Sequence, residues 1–294
     1  MTLQIPRELR TNIYGFEELN LLLEKTEVFR NSTIDLDFSK NIWFDANLCA
    51  ILAAVKSHSE KYGNKINVKN CSQYLHRILQ KNHFLNEFGY EPIHDQYGTT
   101  IKFMSYLPNE ENLFKQYLDN ELLAKDSMPG FSIQLQKKMN ESIFEIFENA
   151  IFHGKTNEVY TCGQYFPRHL PPHIEFTIVD LGRTIQANVG EYLNKAIIAK
   201  DAIEWAVEKG HTTKTGDTPG GLGLKLIREF LKLNKGQIQI VSGDGYWCEN
   251  NNTIFAQSMK TSFPGTIISL NIRIDGESYC LKSEQKNLTE EDIF

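Results

Sequence analysis

Three polar side chains recur at four-residue intervals in one segment of this sequence: Glu141, Glu145 and Asn149. Apolar residues recur at helical spacing through the same segment, so we expect a helix from about Ser132 to His153 that places the three side chains on one face. A carboxylate and a carboxamide so placed suit a magnesium and phosphate site, in which Asn149 donates a hard oxygen ligand and Glu145 orients water. Charged residues at this spacing are also typical of the solvated face of a helix, so the pattern alone does not distinguish a binding site from a solvated face.

Two further motifs follow this helix in order. Asp180-Leu181-Gly182 comes directly after a strand-like run, and Gly220-Gly221-Leu222-Gly223 opens another helix. An aspartate at a strand end can accept a hydrogen bond from an exocyclic amine such as that of adenine, and the glycine beside it lets the ring approach the backbone. Glycines at a helix start expose N–H groups to phosphate. Taken singly, each of these motifs is also an ordinary turn sequence.

Taken together, the motifs resemble the N, G1 and G2 boxes of the GHKL superfamily. That superfamily unites gyrase-type ATPases, heat-shock chaperones, mismatch-repair proteins, histidine kinases and anti-sigma-factor kinases, and the motif style is most similar to the last group. The matching segments are Glu145-Ile-Phe-Glu-Asn149-Ala-Ile-Phe-His-Gly154, Asp180-Leu-Gly182, Gly210-His-Thr-Thr-Lys214, Gly221-Leu-Gly223-Leu224 and Gly265-Thr266. The resemblance covers about half the chain and implies an ATP-binding domain over residues 131–275, with the two-layer α/β sandwich called the Bergerat fold.

The resemblance also implies roles for individual residues, with ATP and Mg as the cofactors. Asn149 would hold magnesium against the phosphates, Glu145 would activate water or an attacking hydroxyl, and Asp180 would read adenine. Further residues would contact the nucleotide or shape the pocket and its lid: Gly182, Thr213, Lys214, Gly221, Leu222 and Gly223. Lys214 could equally be a solvated loop lysine.

Two positions depart from the family pattern. Thr184 stands where a second glycine of the G1 box often occurs, which could alter packing beside adenine, and Pro219 replaces an early glycine of the G2 box, which could stiffen the lid.

A separate run, from His153 to Thr156, ends like a P-loop. We discard it because a P-loop opens a helix, whereas Gly154 is expected to end one.

The amino-terminal segment, residues 1–86, resembles a smaller α/β domain of the STAS type. The resemblance rests on two motifs, Ile34-Asp-Leu-Asp-Phe38 and Phe44-Asp-Ala-Asn-Leu48. A predicted helix, Gly63 and a predicted strand from Ile66 to Val68 follow them in the expected order. STAS domains can carry a serine in the loop before the helix that a GHKL partner phosphorylates. The matching loop here is Asp45-Ala46-Asn47, so phosphorylation at that site is not expected, and Asp45 is interpreted as a helix cap. A generic α/β domain is the alternative.

Two other segments complete the predicted organisation. Residues 87–130 are predicted to be a connector that holds a strand near Thr99 to Met104 and a helix near Glu111 to Leu123. Residues 276–294 are predicted to be a polar tail.

Composition narrows the class of protein. The 294 residues are 41% hydrophobic, enough for a core in each of two domains, and no apolar stretch reaches the ~20 residues of a membrane span. The five cysteines are scattered without zinc-site spacing, and the net charge of −6 argues against generic DNA or RNA binding. We therefore expect a cytoplasmic protein that uses neither a membrane nor nucleic acid.

Three functions agree with these patterns. The first is a slow ATPase whose nucleotide-dependent lid controls binding of a protein partner, with ATP and ADP as its ligands. The second is a serine/threonine protein kinase of the anti-sigma-factor type, and the third is a non-catalytic ATP-binding scaffold. A homodimer is left open. A histidine autokinase is disfavoured because no upstream histidine stands in a phosphoacceptor motif, the four being His58, His76, His83 and His94.

Overall fold

The amino-terminal elements build a small parallel sheet with helices packed on it. The computed structural model describes residues 1–208 and 223–285. The first elements are β1 (Thr2–Gln4), β2 (Glu8–Leu9), α1 (Ile13–Glu27), β3 (Thr33–Asp37), β4 (Trp43–Phe44), α2 (Cys49–Glu60), β5 (Lys65–Lys69) and α3 (Gln73–Lys81). The parallel sheet has the order β1-β3-β5, and β2 pairs with β4 beside it. Gly63, after α2, has the left-handed φ of 75° that the sequence predicts for it.

The remaining elements build a larger antiparallel sheet. They are β6 (Thr100–Tyr106), α4 (Glu111–Tyr117), β7 (Gly130–Phe131), α5 (Ile133–Phe152), β8 (Val159–Phe166), β9 (His173–Asp180), α6 (Ile185–Leu193), α7 (Ala199–Val207), α8 (Gly223–Asn234), β10 (Gln237–Asn250), β11 (Thr253–Arg273), β12 (Ser278–Tyr279) and α9 (Lys282–Gln285). The five long strands pair in the order β10-β11-β9-β8-β6, and α5 and α8 pack on one face of this sheet. The described chain is therefore a mixed α/β protein, as predicted.

The central strand β9 presents a different layer to each of its faces. Phe176 and Ile178 pack into the core formed with α5 and α8, whereas Val179 packs into the core formed with the amino-terminal elements. Thr177, on the same face as Val179, accepts a hydrogen bond from the Asn47 carboxamide at 2.9 Å. The amino-terminal elements thus cover the sheet face opposite α5 and α8.

The segment between the two predicted domains contributes to the larger sheet. Strand β6 forms the edge of the larger sheet, where it pairs with β8. The local sequence of β6 does not indicate which strand it pairs with. Phe114 of α4 stacks on Phe147 of α5 at a centroid distance of 4.7 Å. The strand and helix predicted over residues 87–130 are therefore integral parts of this layer.

The carboxyl-terminal residues that the structure describes also dock onto the larger layer. Ser278 and Tyr279 pair with Gly130 and Phe131, and the Tyr279 ring packs edge-on against Phe230. The part of the predicted polar tail up to residue 285 is thereby held beside the start of α5.

Residues Gln237–Val241 and Thr266–Ile272 form the inner part of a longer hairpin. Register shifts at Ser242 to Gly245 separate the inner pairing from an outer one that ends at Asn250 and Thr253. The backbone of the outer part binds α1, where Lys260 N–H donates to Glu17 at 3.1 Å. Within the described ranges, no helix has the length and apolarity needed to cross a lipid bilayer.

Candidate functional site

Helix α5 positions two of the predicted site residues. The Ser132 hydroxyl caps the helix by accepting the Leu135 N–H at 3.2 Å, and the N–H groups of His153 and Gly154 close its last turn on the Asn149 carbonyl oxygen. The face with Leu135 is buried in the core, which leaves Glu145 and Asn149 half-buried at the edge of that face. Both side chains consequently border a cavity.

This cavity lies between α5, α6, the end of α7, the first turns of α8 and the sheet. Its volume is ≈ 190 Å³, against the roughly 10–15 Å³ that one water needs by the same measure. Glu145, Asn149 and Asp180, predicted from separate motifs, all line it. Its apolar wall is formed by Ile146, Ile178, Ile185, Val189, Ile240 and Ile268. A cavity that combines an apolar wall with polar side chains is typical of a small-molecule site.

Asp180 is the buried polar group of the cavity. It is 5% exposed at the end of β9, where the backbone N–H groups of Gly182 and Thr266 donate to its carboxylate, the former at 2.8 Å. Burial raises the pKa of Asp180 to about 7, even though both hydrogen bonds lower it. When ionised, this carboxylate can accept a hydrogen bond from a ligand amine.

Glycines bring the turn after Asp180 close to the end of α5. A Cβ on Gly182 would lie 2.3 Å from the Gly154 carbonyl oxygen, and a Cβ on Gly265 would lie 2.1 Å from the Asp180 carbonyl oxygen. Larger residues at these positions would force the backbones apart. The turn after Asp180 is thus built for close approach to the end of α5. Gly182 itself does not line the cavity, so its predicted place beside a ligand ring stays a prediction.

The remaining predicted residues are Gly223, at the start of α8, and four residues that precede it in the sequence. Gly223 is the first residue of this helix, and Leu224 and Lys225 of its first turn line the cavity. Four other predicted residues lie outside the described residues, as does Pro219: Thr213, Lys214, Gly221 and Leu222.

Two interpretations from the sequence, those of Glu141 and Asp45, are corrected. Glu141 does not border the cavity but pairs with Lys138 at 2.7 Å on the exposed face of α5. Asp45 makes no capping hydrogen bond; its carboxylate instead accepts the Thr11 N–H and the Trp43 Nε1–H, each at 2.7 Å. Thr184 caps α6 by accepting the Ala187 N–H, which gives a local reason for threonine at this position.

Several cavity residues were not predicted from the sequence, namely Arg183, Asn188, Trp205 and Arg228. One signal could have identified Arg228. It follows Leu224 by four residues and precedes Leu231 by three, so it falls within the apolar stripe of α8, where a charged side chain needs a partner. The others lie in segments without a comparable pattern.

One polar side chain at the cavity bears on whether a metal ion could be held there. The Asn149 side chain has no hydrogen bond within the described part of the chain, so its oxygen is available to a cation. Among the described residues there is no cluster of three histidine, cysteine, aspartate or glutamate side chains that could hold a metal. Mg²⁺ typically takes only one or two protein ligands when substrate phosphates and waters complete its shell.

Comparisons with known proteins do not assign the chain to a family. No model of a protein family matches the sequence, and no curated protein matches it significantly.

Proposed function

We propose that this protein is a GHKL-type Mg-ATP-binding regulator, a slow ATPase whose nucleotide state controls its interaction with a protein partner. The observation that carries the proposal is the convergence of Glu145, Asn149 and Asp180 on one cavity next to the first turn of α8. These residues belong to motifs that are far apart in the sequence. If the motif matches were accidental, there would be no reason for these residues to lie around the same cavity.

The adenine end of the site would lie at Asp180. The ionised carboxylate accepts a hydrogen bond from the exocyclic amine of the base, and the isoleucine-rich wall packs on the faces of the ring. Gly182 supports this end of the site indirectly, since its lack of a side chain lets the turn after Asp180 pack on the end of α5. A guanine base carries a carbonyl where adenine carries this amine, so ATP is favoured over GTP.

The phosphate end would lie at Asn149 and the first turn of α8. Asn149 would hold the magnesium ion, which when bound neutralises charge on the phosphates. Lys225 adds a positive charge at the cavity, and the N-terminus of α8 adds the positive end of its dipole.

Glu145 is the group proposed to act on water. It lies one helical turn before Asn149 on the cavity side of α5, so a water beside the phosphates comes within reach of its carboxylate. As a general base it accepts the proton of that water during attack on the terminal phosphorus.

The fold assignments belong to the same proposal. An antiparallel sheet with α5 and α8 on one face supports a Bergerat-type sandwich for the larger layer, and the parallel sheet β1-β3-β5 with its helices supports a STAS-like fold for residues 1–86. The loop that would carry a phosphorylated serine in a STAS domain is inaccessible here, because Ala46 and Asn47 are fully buried against the larger sheet. This burial favours a nucleotide switch over phosphorylation within the chain.

Labelled ATP tests the proposal. Purified protein is incubated with γ-labelled ATP and Mg²⁺, and label is followed in free phosphate, on the chain and on candidate partner proteins. We expect slow phosphate release that falls by about 10²-fold or more in Glu145→Gln. Glu148→Gln is the matched control, because Glu148 lies on the same helix but does not line the cavity.

The other outcomes separate the alternatives. Label on a partner protein would replace the ATPase with the serine/threonine kinase. Nucleotide binding without turnover would support the third alternative, a non-catalytic ATP-binding scaffold. No nucleotide binding at millimolar ATP would exclude all three.

A further inference from the structure

The Arg228 side chain borders the cavity and bonds to two other elements of the fold. Its Nε donates to Glu249 Oε2 at 2.5 Å and its Nη2 to Glu249 Oε1 at 3.3 Å, while Nη1 donates to the Val207 carbonyl oxygen. The guanidinium also lies 5.2 Å from the centre of the Trp247 ring. Each of its three nitrogens therefore has a protein partner.

These contacts join three elements. Arg228 stands on α8, Val207 is the last residue of α7, and Glu249 stands on β10. The Arg228 side chain is only 17% exposed and that of Glu249 only 3%, so the pair is shielded from solvent. Shielded, bidentate arginine pairs hold a fixed geometry, because the planar guanidinium matches the carboxylate at two points.

Glu249 has a second partner that does not reach α7. Lys232 Nζ lies 2.9 Å from Glu249 Oε1, one turn further along α8 than Arg228. Burial alone would raise the pKa of Glu249, but hydrogen bonds from Arg228 and Lys232 lower it below its ordinary value. The carboxylate is thus charged whenever it holds Arg228.

Extending the proposed function, we propose that Arg228 is a positioning residue of the nucleotide site, which fixes the first turn of α8 against the end of α7 and so preforms the phosphate side of the cavity. Leu224 and Lys225, in that turn, line the cavity directly. We assign Arg228 to act through them rather than by binding phosphate, since three of its five N–H donors already bind Glu249 and Val207 and hold the guanidinium in place. A small displacement of α8 would then weaken contacts to the phosphates and spare those to the base.

Two ligands separate the two ends of the site. Adenosine carries the base without phosphates, whereas Mg-ATP carries both. Dissociation constants for each are measured by calorimetry on the wild type and on Arg228→Lys, Glu249→Gln and Lys232→Gln, together with the thermal midpoint of each protein without ligand.

We expect Arg228→Lys and Glu249→Gln to weaken Mg-ATP binding about tenfold or more and to change adenosine binding less than about twofold. Lysine keeps the charge but cannot bind Glu249 at two points and Val207 at a third. Lys232→Gln is the matched control and should leave both affinities unchanged. Lys232 binds the same carboxylate of Glu249 as Arg228 does, but among the described residues it makes no bond to α7.

Four results would overturn this inference. If Arg228 acted as a charge for phosphate, Arg228→Lys would retain Mg-ATP affinity and Glu249→Gln would retain or strengthen it. If Arg228 served only general stability, adenosine and Mg-ATP affinities would fall together with the thermal midpoint. If wild-type protein bound neither ligand, the proposed function itself would fail, whereas normal wild-type binding with unaffected variants would remove only the role of Arg228.

Discussion

Gly182 packs so closely on Gly154 that a Cβ at position 182 would lie 2.3 Å from the Gly154 carbonyl oxygen. We therefore predict that Gly182→Ala separates the turn after β9 from the end of α5, at a cost of about 1–3 kcal/mol in the free energy of unfolding. Asp180 moves with the turn, so nucleotide affinity should fall as well. Denaturant unfolding and calorimetry measure the two effects.

Gly190→Ala is the control for this substitution. Gly190 lies inside α6, where an added Cβ would come no closer than 3.2 Å to the Lys195 carbonyl oxygen, and alanine favours a helix by up to about 1 kcal/mol. A Gly182→Ala protein as stable as Gly190→Ala, with unchanged affinity, would contradict the close-packing explanation.

Asp180 should give the protein a pH-dependent stability. Its folded pKa of about 7 lies above the ordinary value of 3.8, so between these values the folded state holds a proton that the unfolded state has released. The free energy of unfolding should therefore fall as pH rises through this window, by up to about 1.4 kcal/mol per pH unit from this group, and level off above pH 7. Chemical denaturation at a series of pH values measures the slope.

Asp180→Asn isolates this contribution. The pKa of Glu175 is also raised by burial and contributes in the same direction, so the slope of the variant should be shallower rather than zero. Equal slopes in wild type and Asp180→Asn would show that Asp180 does not titrate in this window.

The contact between the two sheets predicts cooperative unfolding. Asn47 donates to Thr177 across this contact while also binding Thr11, so Asn47→Ala should cost about 1–3 kcal/mol by leaving buried polar groups unpaired. Asn67→Ala, which removes a partly buried bond to Asp35 within the smaller sheet, should cost less.

Tryptophan positions allow cooperativity to be tested directly. Trp43 lies in the amino-terminal layer, whereas Trp205 and Trp247 lie in the larger one. We expect coincident transitions by fluorescence and circular dichroism, since one apolar core includes residues from both layers. Two separated transitions would mean that the layers unfold independently.

A buried asparagine in α1 gives a stabilising prediction. Asn20 is fully buried, and neither of its side-chain polar atoms has a hydrogen-bond partner among the described residues. Asn20→Leu should raise the free energy of unfolding by about 1–3 kcal/mol, since it replaces an unpaired amide with an apolar group of similar size. Asn64→Leu should do the opposite, because Asn64 accepts the Ser32 N–H and donates to Phe29. A loss of stability in Asn20→Leu would contradict the assignment of Asn20 as unpaired.

Elements with strong local signals could be predicted from the sequence. The predicted helix from Ser132 to His153 matches α5 with its two capping residues, and the strand predicted near Thr99 to Met104 overlaps β6. Apolar periodicity and caps are local properties, so both are visible in a short window. The placement of Glu145 and Asn149 on one side of α5 could also be predicted, because it depends only on their four-residue spacing.

Features that depend on distant partners could not be predicted. The outer hairpin of β10 and β11 contains Gly243, Gly245 and polar residues that oppose a strand prediction, and its contact with α1 stabilises it only in the folded chain. Asp45 has the position of a cap, but Thr11 and Trp43 compete for its carboxylate. The exposed position of Glu141 likewise follows from which part of α5 the sheet covers.

Adenine nucleotide binding is the central claim, and the affinity for Mg-ATP tests it most directly. We predict saturable binding of one ATP per chain, preserved in Glu145→Gln because that residue acts on water, and weakened about tenfold or more in both Asn149→Ala and Asp180→Asn. GTP should compete poorly. The claim would be contradicted if the wild-type protein failed to bind Mg-ATP, or if Asn149→Ala and Asp180→Asn bound it as tightly as the wild type.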